Sequence, residues 1–464
     1  MRIFGMIAAL AIGVISAGAA DEAKKPNVLI VFVDDLGWAD VGFNGTPIYK
    51  TPHIDRIMGE AVNFTQAYSA HPVCSPTRAA LISGKAPQRV GITQWISGDK
   101  VALPLEEVTI GEAFQEGGYR TGYIGKWHLG KKDEFQPEKQ GFGWVKAVNR
   151  AGQPSSYFPP YAAKKPRPTD VPDLDPRAGG PFLTNALTDL ANGFMQEKSE
   201  KPFFLILSQY AVHTPIEAPK GLVAIKQRDI SEFYAERERE DIKERYGATT
   251  RGRQDHAGYA ALVQNLDMNF GRLIEGLEKS GQLDNTIVVF TSDNGGLSTL
   301  TRGVGPTCNA PLRAGKGWCY EGGVRIPSFI YWKGELKPLE VDEPMITTDL
   351  YPTLLELCGL DAKPEQHLDG ASLAGVMRGG ESPGLDQRVI GWSYPHQHGS
   401  GHRPSNAIRH GDWKLIRFEE GKRYELYNLK DDLGETKDLA EQKVDKVREL
   451  DSILSGWLKE TQKP

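Results

Sequence analysis

The 464-residue chain has little cysteine, no surplus of either charge and few apolar runs of any length. Four cysteines in a chain this long exclude a disulfide-built scaffold. Lys and Arg number 55 against 60 Asp and Glu, a formal charge of −5. No global basic field exists to hold nucleic acid or an anionic bilayer, so an anionic ligand must be gripped by a local cluster. Internal repeats and low-complexity tracts are also missing, which removes solenoids. At 39% hydrophobic and 25% charged residues the chain is neither disordered nor polytopic. Glycine (51) and proline (30) are plentiful, as expected for many loops between short regular elements. The length suits one large α/β domain plus a smaller one.

The N-terminus reads as a removable leader. Arg2 precedes an apolar run from Ile3 to Ile15 and the small residues Ser16 to Ala20. A positive start, a short apolar stretch and an Ala-x-Ala-like site predict a signal peptide over 1–20. The run is shorter than the roughly 20 residues a membrane span needs. The expectation is an exported protein, periplasmic or secreted, with no membrane span.

Buried strands are predicted where apolar runs end in polar residues. Asn27–Val33 is continuous and β-branched, and Asp34 and Asp35 follow it. Such a run fits a strand covered on both faces of a parallel sheet. Thr286–Thr291 precedes Asp293 and Asn294, Phe203–Leu207 precedes His213, and Gly118–Ile124 precedes Lys126 and His128. Helical patterns lie between them, over 54–64, 109–117, 185–197 and 256–280. Strands alternating with helices predict an α/β sheet covered on both faces. Ligands of such sheets sit outside the carboxyl ends of the strands, and here four strands deliver titratable residues to that edge. The Pro- and Gly-rich segment 149–181 reads as a long ordered loop near the mouth, and the charged segment 226–256 as a solvated helix plus loop. Beyond Gly380, stretches 388–394, 412–418 and 423–428 alternate as antiparallel strands. A helix over 444–459 closes the chain. The expected organisation is a signal peptide over 1–20, a main domain over 21–380 and a C-terminal α+β subdomain over 381–464.

The densest stretch is His71 to Gly84. Pro76 suits the first turn of a helix that continues through Ile82, so Cys74 sits at a helix N-terminus, where free N–H groups favour an anion. Arg78 adds a forked donor one turn in. On position alone, Cys74 also fits a buried structural thiol or half a disulfide. Asp34, Asp35, Asp293 and Asn294 offer only oxygen, which suits Ca²⁺ or Mg²⁺ better than Zn²⁺. An isolated Asp-Asp pair after a strand also fits a simple turn. Lys126 and His128 are two apart, so in extended backbone they face the same way.

Cys74-x-Pro76-x-Arg78 followed by Ala79, Ala80, Leu81, Ile82, Ser83 and Gly84 closely resembles the signature of the formylglycine-dependent type I sulfatases. Asp34-Asp35, the Cys74 motif, Lys126, His128, His213, Asp293-Asn294 and Lys316 follow the family's order over nearly the whole mature chain. The resemblance implies an alkaline-phosphatase-like fold, with a large, mostly parallel mixed sheet between helices. It implies that a maturase oxidises Cys74 to formylglycine. One Ca²⁺ would be held by Asp34, Asp35, Asp293, Asn294 and residue 74. The expected mechanism is attack on sulfur by the formylglycine hydrate, its acidity raised by the metal and Arg78, to give a sulfated enzyme. His213 and Lys316 would protonate the leaving alcohol, His128 would take a proton from the second hydroxyl to expel sulfate, and Lys126 would hold sulfate oxygens.

Two rivals remain: a phosphatase or phosphodiesterase of the same superfamily, and a silent sulfated-glycan binding protein. The first predicts histidine-ligated Zn²⁺; the second predicts an unmodified pocket. The stretch Trp392 to Pro404 carries His396, His398, His402 and Arg403 between two expected strands. It fits a solvated loop, a metal chelator or a substrate loop. The resemblance places it over the leaving alcohol, with Arg313 nearby and Trp95, Tyr157 or Trp318 as stacking platforms. That implies a sulfated carbohydrate, with galactose or N-acetylgalactosamine 4-sulfate as first choice. Cys308 and Cys319 flank Arg313 and Lys316 and fit either a disulfide or two free thiols, while Cys358 reads as a core thiol.

Overall fold

The computed structural model describes residues 24–300, 305–381, 384–385 and 387–462. The expected signal peptide lies outside them. Eight strands form the main sheet: β1 (Asn27–Val33), β2 (Val62–Phe64), β3 (Arg120–Gly125), β4 (Trp144–Lys146), β5 (Phe203–Ser208), β6 (Thr286–Ser292), β7 (Ser328–Trp332) and β8 (Leu339–Val341). Their order is β8-β2-β7-β6-β1-β5-β3-β4, and only β7 runs against the rest. The expected mixed, mostly parallel sheet is present.

β1 lies at its centre with all seven residues buried. Its side chains alternate between two cores: Leu29, Val31 and Val33 face one, Val28, Ile30 and Phe32 the other. On the first face pack α1 (Pro52–Met58), α4 (Leu183–Gln196) and α6 (Ala257–Lys279). On the second pack α2 (Cys74–Ser83), α3 (Ile110–Glu116) and the helix Leu350–Leu357. α5 (Lys220–Phe233) lies against α6. α3 starts at a capping box in which the Thr109 hydroxyl accepts from Glu112 N–H and Glu112 accepts from Thr109 N–H. α2 stops at Gly84, whose φ of 68° is left-handed. A Cβ there would meet the His367 Cβ at 2.6 Å.

One expected helix is cut short. The pattern over 54–64 is helix only to Met58; Gly59 caps it, and Val62–Phe64 becomes β2, pairing with β7 and β8. The segment 149–181 contains no helix or strand, as expected of a loop. Asp170 organises it, accepting from the Ser155 hydroxyl and from Ala163 and Arg167 N–H. Segment 226–256 continues α5 into a short antiparallel pair, Ile242–Lys243 with Thr249–Thr250.

A second, antiparallel sheet follows: β9 (Val389–Tyr394), β10 (Ser405–His410), β11 (Trp413–Phe418) and β12 (Arg423–Asn428). Sequence reading missed β10. Its polar Asn406, Arg409 and His410 hide the alternation, although Ala407 and Ile408 are wholly buried. The closing helix Val444–Thr461 covers one face through Val447, Leu450 and Leu454. The other face packs Trp392, Tyr394, Ile416 and Tyr427 against Tyr68, Val73, Trp318 and Tyr320 of the main body. Buried charge joins the two: Lys414 Nζ lies 2.9 Å from Glu321 and 3.0 Å from Glu435, all wholly inaccessible.

All four cysteines are free and buried. Cys308 and Cys319 therefore do not pair. Cys308 lies near Asp40 and Cys319 beside Ser405 and Lys414. Cys358 sits in the second core. Among the described residues no helix is long and apolar enough to cross a membrane.

Removing one partner of a buried ion pair strands the other in low dielectric. Lys414→Ala should therefore destabilise the protein by about 3–5 kcal/mol, read from urea unfolding. An unchanged midpoint would show that the contact between the sheets does not depend on it.

Candidate active site

Four adjacent parallel strands, β6, β1, β5 and β3, end at one edge of the main sheet. Directly beyond them come Asp293 and Asn294, Asp34 and Asp35, His213, and Lys126 and His128. The topology thus brings together residues far apart in sequence, as the carboxyl-edge rule anticipates. Asp35 and His128 both adopt left-handed φ, 62° and 59°. Non-glycine residues held there cost about 1–3 kcal/mol and mark sites where side-chain direction matters more than backbone comfort.

Three carboxylates are buried at this edge, and each has a cation. Lys126 Nζ is 2.6 Å from Asp34 Oδ2. Lys316 Nζ reaches both oxygens of Asp35, at 2.7 and 2.9 Å. Arg78 donates from Nε and Nη2 to Asp293 Oδ2 at 3.0 and 2.7 Å. Its Nη1 is spent on the Lys126 carbonyl and the Ser208 hydroxyl, so the guanidinium is locked. Burial works against the Asp35 and Asp293 carboxylates, yet their cations hold both pKa values below the usual range. Asp34 differs: burial outweighs Lys126 and raises its pKa. Burial also opposes the charge of Lys316, but Asp35 more than restores it.

Two oxygens in this cluster lack partners. Asp34 Oδ1 and Asn294 Oδ1 are buried with no hydrogen bond among the described residues. Orphaned buried acceptors are costly. A divalent cation between them would satisfy both, and an all-oxygen donor set suits Ca²⁺ or Mg²⁺. Asp34, Asp35 and His213 are the one group of His, Cys, Asp or Glu among the described residues whose donor atoms lie within 4.8 Å of one another. The residues present therefore fit a hard cation.

Cys74 is the first residue of α2 and is 3% exposed. Its Sγ lies 3.4 Å from His128 Nδ1. His128 Nε2 donates to the Ile96 carbonyl at 2.9 Å, which leaves Nδ1 as the lone-pair nitrogen turned to residue 74. Burial and the Lys126 charge push the His128 pKa well below normal, so the ring is neutral. Gly152 lies against that ring: a Cβ there would meet His128 Cε1 at 2.3 Å. His213 Nδ1 donates to the Thr214 carbonyl at 2.9 Å, and Nε2 stands 3.7 Å from Asp35. Burial and Lys316 lower its pKa to about 3.

Cys74, His128, His213 and Lys316 line one cavity of about 340 Å³, with Trp95, Lys131, Gly152, Gln153 and His398 also in its wall. Of the residues expected on the substrate, only His398 lines it. His396 bonds the Thr93 hydroxyl at 3.0 Å, and Arg403 lies over the Tyr246 ring. His402 is 2% exposed and stacked on Tyr394. Arg313 is bound to Glu244 and the Tyr427 hydroxyl, and its guanidinium covers Tyr320. Tyr157 and Trp318 are wholly buried, so neither can stack on a ligand; Tyr157 instead donates to the carbonyls of Tyr210 and His213. Trp95, 43% exposed, remains available. Sequence reading missed Ser208, Ile96, Gly152 and Lys131. Ser208 was findable, because it ends β5 at the same edge; Gly152 lies in the 149–181 loop expected near the mouth, and Ile96 and Lys131 carry no local signal.

The Cys74 motif is pinned by the second sheet. Trp392 Nε1 donates to Ser69 O at 2.8 Å, and the His71 ring contacts Ser393 O at 3.1 Å. Gly317 N–H donates to Pro72 O at 2.8 Å, which ties the Lys316 loop to the same segment.

Comparison with known proteins gives the site its context. The family model described as Sulfatase matches residues 26–360, and that described as N-sulphoglucosamine sulphohydrolase, C-terminal, matches 314–463. A sulfatase of Formosa agariphila is 30% identical, over 94% of this chain and 89% of its own. N-acetylgalactosamine-6-sulfatase of Mus musculus is 31% identical, over 80% of this chain and 69% of its own. The solved structure of Ps i-CgsB in complex with k-i-k-neocarrahexaose superposes with a TM-score of 0.80 at 29% identity, covering 95% of this chain and 94% of that one. With the fold, the edge cluster and these matches together, the chain belongs to the sulfatase family and is a sulfuric ester hydrolase.

Proposed function

We propose that the protein removes sulfate from a sulfated glycan at the edge of the main sheet, with residue 74 as nucleophile. The carrying observation is the juxtaposition of Cys74 with the lone-pair nitrogen of His128, beside two orphaned oxygens that suit a hard cation. Ca²⁺ held by Asp34, Asp35, Asp293, Asn294 and residue 74 would supply fixed positive charge where negative charge builds on sulfate. Formylglycine made from Cys74 by a maturase would supply two hydroxyls, one to attack and one to let the product leave.

The other side chains divide the work. Lys316 lines the cavity as a fixed cation, Lys126 adds positive charge from its buried bond to Asp34, and neither need reorganise as charge moves. Arg78, locked on Asp293, orients the start of α2 and adds positive charge beside residue 74. An arriving sulfate offsets the lysines that depress His213, raises its pKa from about 3, and lets it protonate the departing alcohol. His128, held neutral, takes a proton from residue 74 in the second half of the cycle. Gly152 packs against the His128 ring and Trp95 stands in the cavity wall.

Several observations support a glycan. The neighbouring structure holds a neocarrahexaose, and the mammalian relatives are named for N-acetylgalactosamine. An exposed Trp95 beside His398 suits a sugar ring with hydroxyls at its rim. A galactose-configured sugar is the first choice, with 4-sulfate preferred and 6-sulfate as comparator. The test is sulfate release from both esters and from a phosphate monoester, together with mass spectrometry of the peptide bearing residue 74. Sulfate release with an aldehyde at position 74 supports the reading. Turnover with an intact thiol, or preference for phosphate, overturns it.

Asn294→Ala leaves the three ion pairs intact but removes one orphaned oxygen. Calcium affinity should fall by at least the roughly 10–100-fold that loss of an outer-shell partner causes, read by competition with a chelating dye. Unchanged affinity would refute the ligand set.

The histidines should fail differently. His128→Ala should release about one equivalent of alcohol in a burst and then stall with sulfate retained. His213→Ala should slow the burst itself by roughly 10²–10⁴-fold, most for poor leaving groups. A burst from the His213 variant and none from the His128 variant would reverse the roles.

A further inference from the structure

The cavity over Cys74 opens into a second one of about 420 Å³, and the two share Trp95, Gln153, Lys316 and His398. Their walls differ in charge. The first has Lys131, Lys316 and three histidines with no carboxylate. The second adds Gln94, Thr299 and Gln397 and no further ionisable group. Its one charged lining residue, Lys316, is already matched by both oxygens of Asp35.

The Thr214 and Ser400 hydroxyls of this second cavity are bonded to His213 and His398, but three of its amides are uncommitted. Among the described residues, the side-chain amides of Gln94, Gln153 and Gln397 have no hydrogen-bond partner. Amides both donate and accept, which matches a ring of hydroxyls that do the same. Trp95 offers the apolar face against which the C–H side of a pyranose can lie. An anionic ring would enter a partly desolvated space in which, among the described residues, the one lining cation is Lys316, already bonded to Asp35.

We propose that the second cavity seats an uncharged sugar next to the sulfated one. The substrate is then an oligosaccharide whose neighbouring residue carries neither sulfate nor carboxylate. Trp95 forms the wall under the glycosidic link, while Gln94 and Gln397 bind the neighbour. This rests on reading the first cavity as the sulfate-ester site.

The test compares three substrates with the matured, calcium-loaded enzyme: N-acetylgalactosamine sulfate alone, the same sugar linked to galactose, and the same sugar linked to glucuronic acid. Each is made as the 4- and the 6-sulfate. The galactose conjugate should exceed the monosaccharide in kcat/KM by at least about 10-fold, a gain of about 1.4 kcal/mol, and the glucuronate conjugate should show no such gain. Gln397→Ala and Gln94→Ala should each erase most of that gain while the monosaccharide is still turned over. Equal kcat/KM for the three substrates, an equal gain for the glucuronate conjugate, or a gain that survives both substitutions overturns the proposal and leaves the sulfatase reading intact. Absence of sulfate release from every substrate overturns the reading of the first cavity, and this inference with it.

Discussion

Three carboxylates can be buried at the carboxyl edge of this sheet only because each meets its own cation. Lys126 answers Asp34, Lys316 answers Asp35 and Arg78 answers Asp293. An unpaired buried charge is far costlier than a paired one. The pairing therefore constrains everything around it: the strand order that places Asp34 beside Asp293, the start of α2 that delivers Arg78, and the loop that delivers Lys316. Three negative charges on three positive ones also leave the cluster near neutral. A divalent cation would make it strongly positive, as an anionic substrate requires.

The second sheet is part of this arrangement. Its Trp392 and Ser393 hold the segment before Cys74, and its Lys414 is buried between Glu321 and Glu435. Glu321 belongs to the same stretch as Lys316 and Trp318, whose side chains reach the site or pack beneath it. Residues at the end of the chain thus fix the geometry of residues at its beginning. That explains why the part-buried Arg313 and the buried His402 are fasteners between the two bodies and do not line the cavity.

Much of the main body was legible in the sequence. Strand β1 was bounded as observed because a fully buried parallel strand is a continuous apolar run with abrupt polar ends. The edge residues followed from the same boundary rule, since Asp34, Lys126, His213 and Asp293 all come after such runs. What could not be read depends on contacts distant in sequence. Val62 to Phe64 is a strand because β7 and β8 flank it, and no local pattern separates it from the helix before it. β10 hides because polar residues stand in it: Arg409 bonds Tyr68 across the contact with the main body, and Asn406 bonds Glu419. The loop of histidines looked like one recognition surface, yet its backbone turns His402 inward against Tyr394 and leaves His398 facing the cavity.

The hydrogen bond from His128 to the Ile96 carbonyl has a further consequence. Ile96 is the immediate neighbour of Trp95, the wall shared by the two cavities. One stretch of backbone therefore sets both which imidazole nitrogen bears the proton and where Trp95 stands between the two cavities. A substitution that moves Trp95 through this backbone also loosens the tautomer of the ring. Adaptation to a new ligand is freer at Gln397 and Gly399, which line the second cavity and not the one that holds His128.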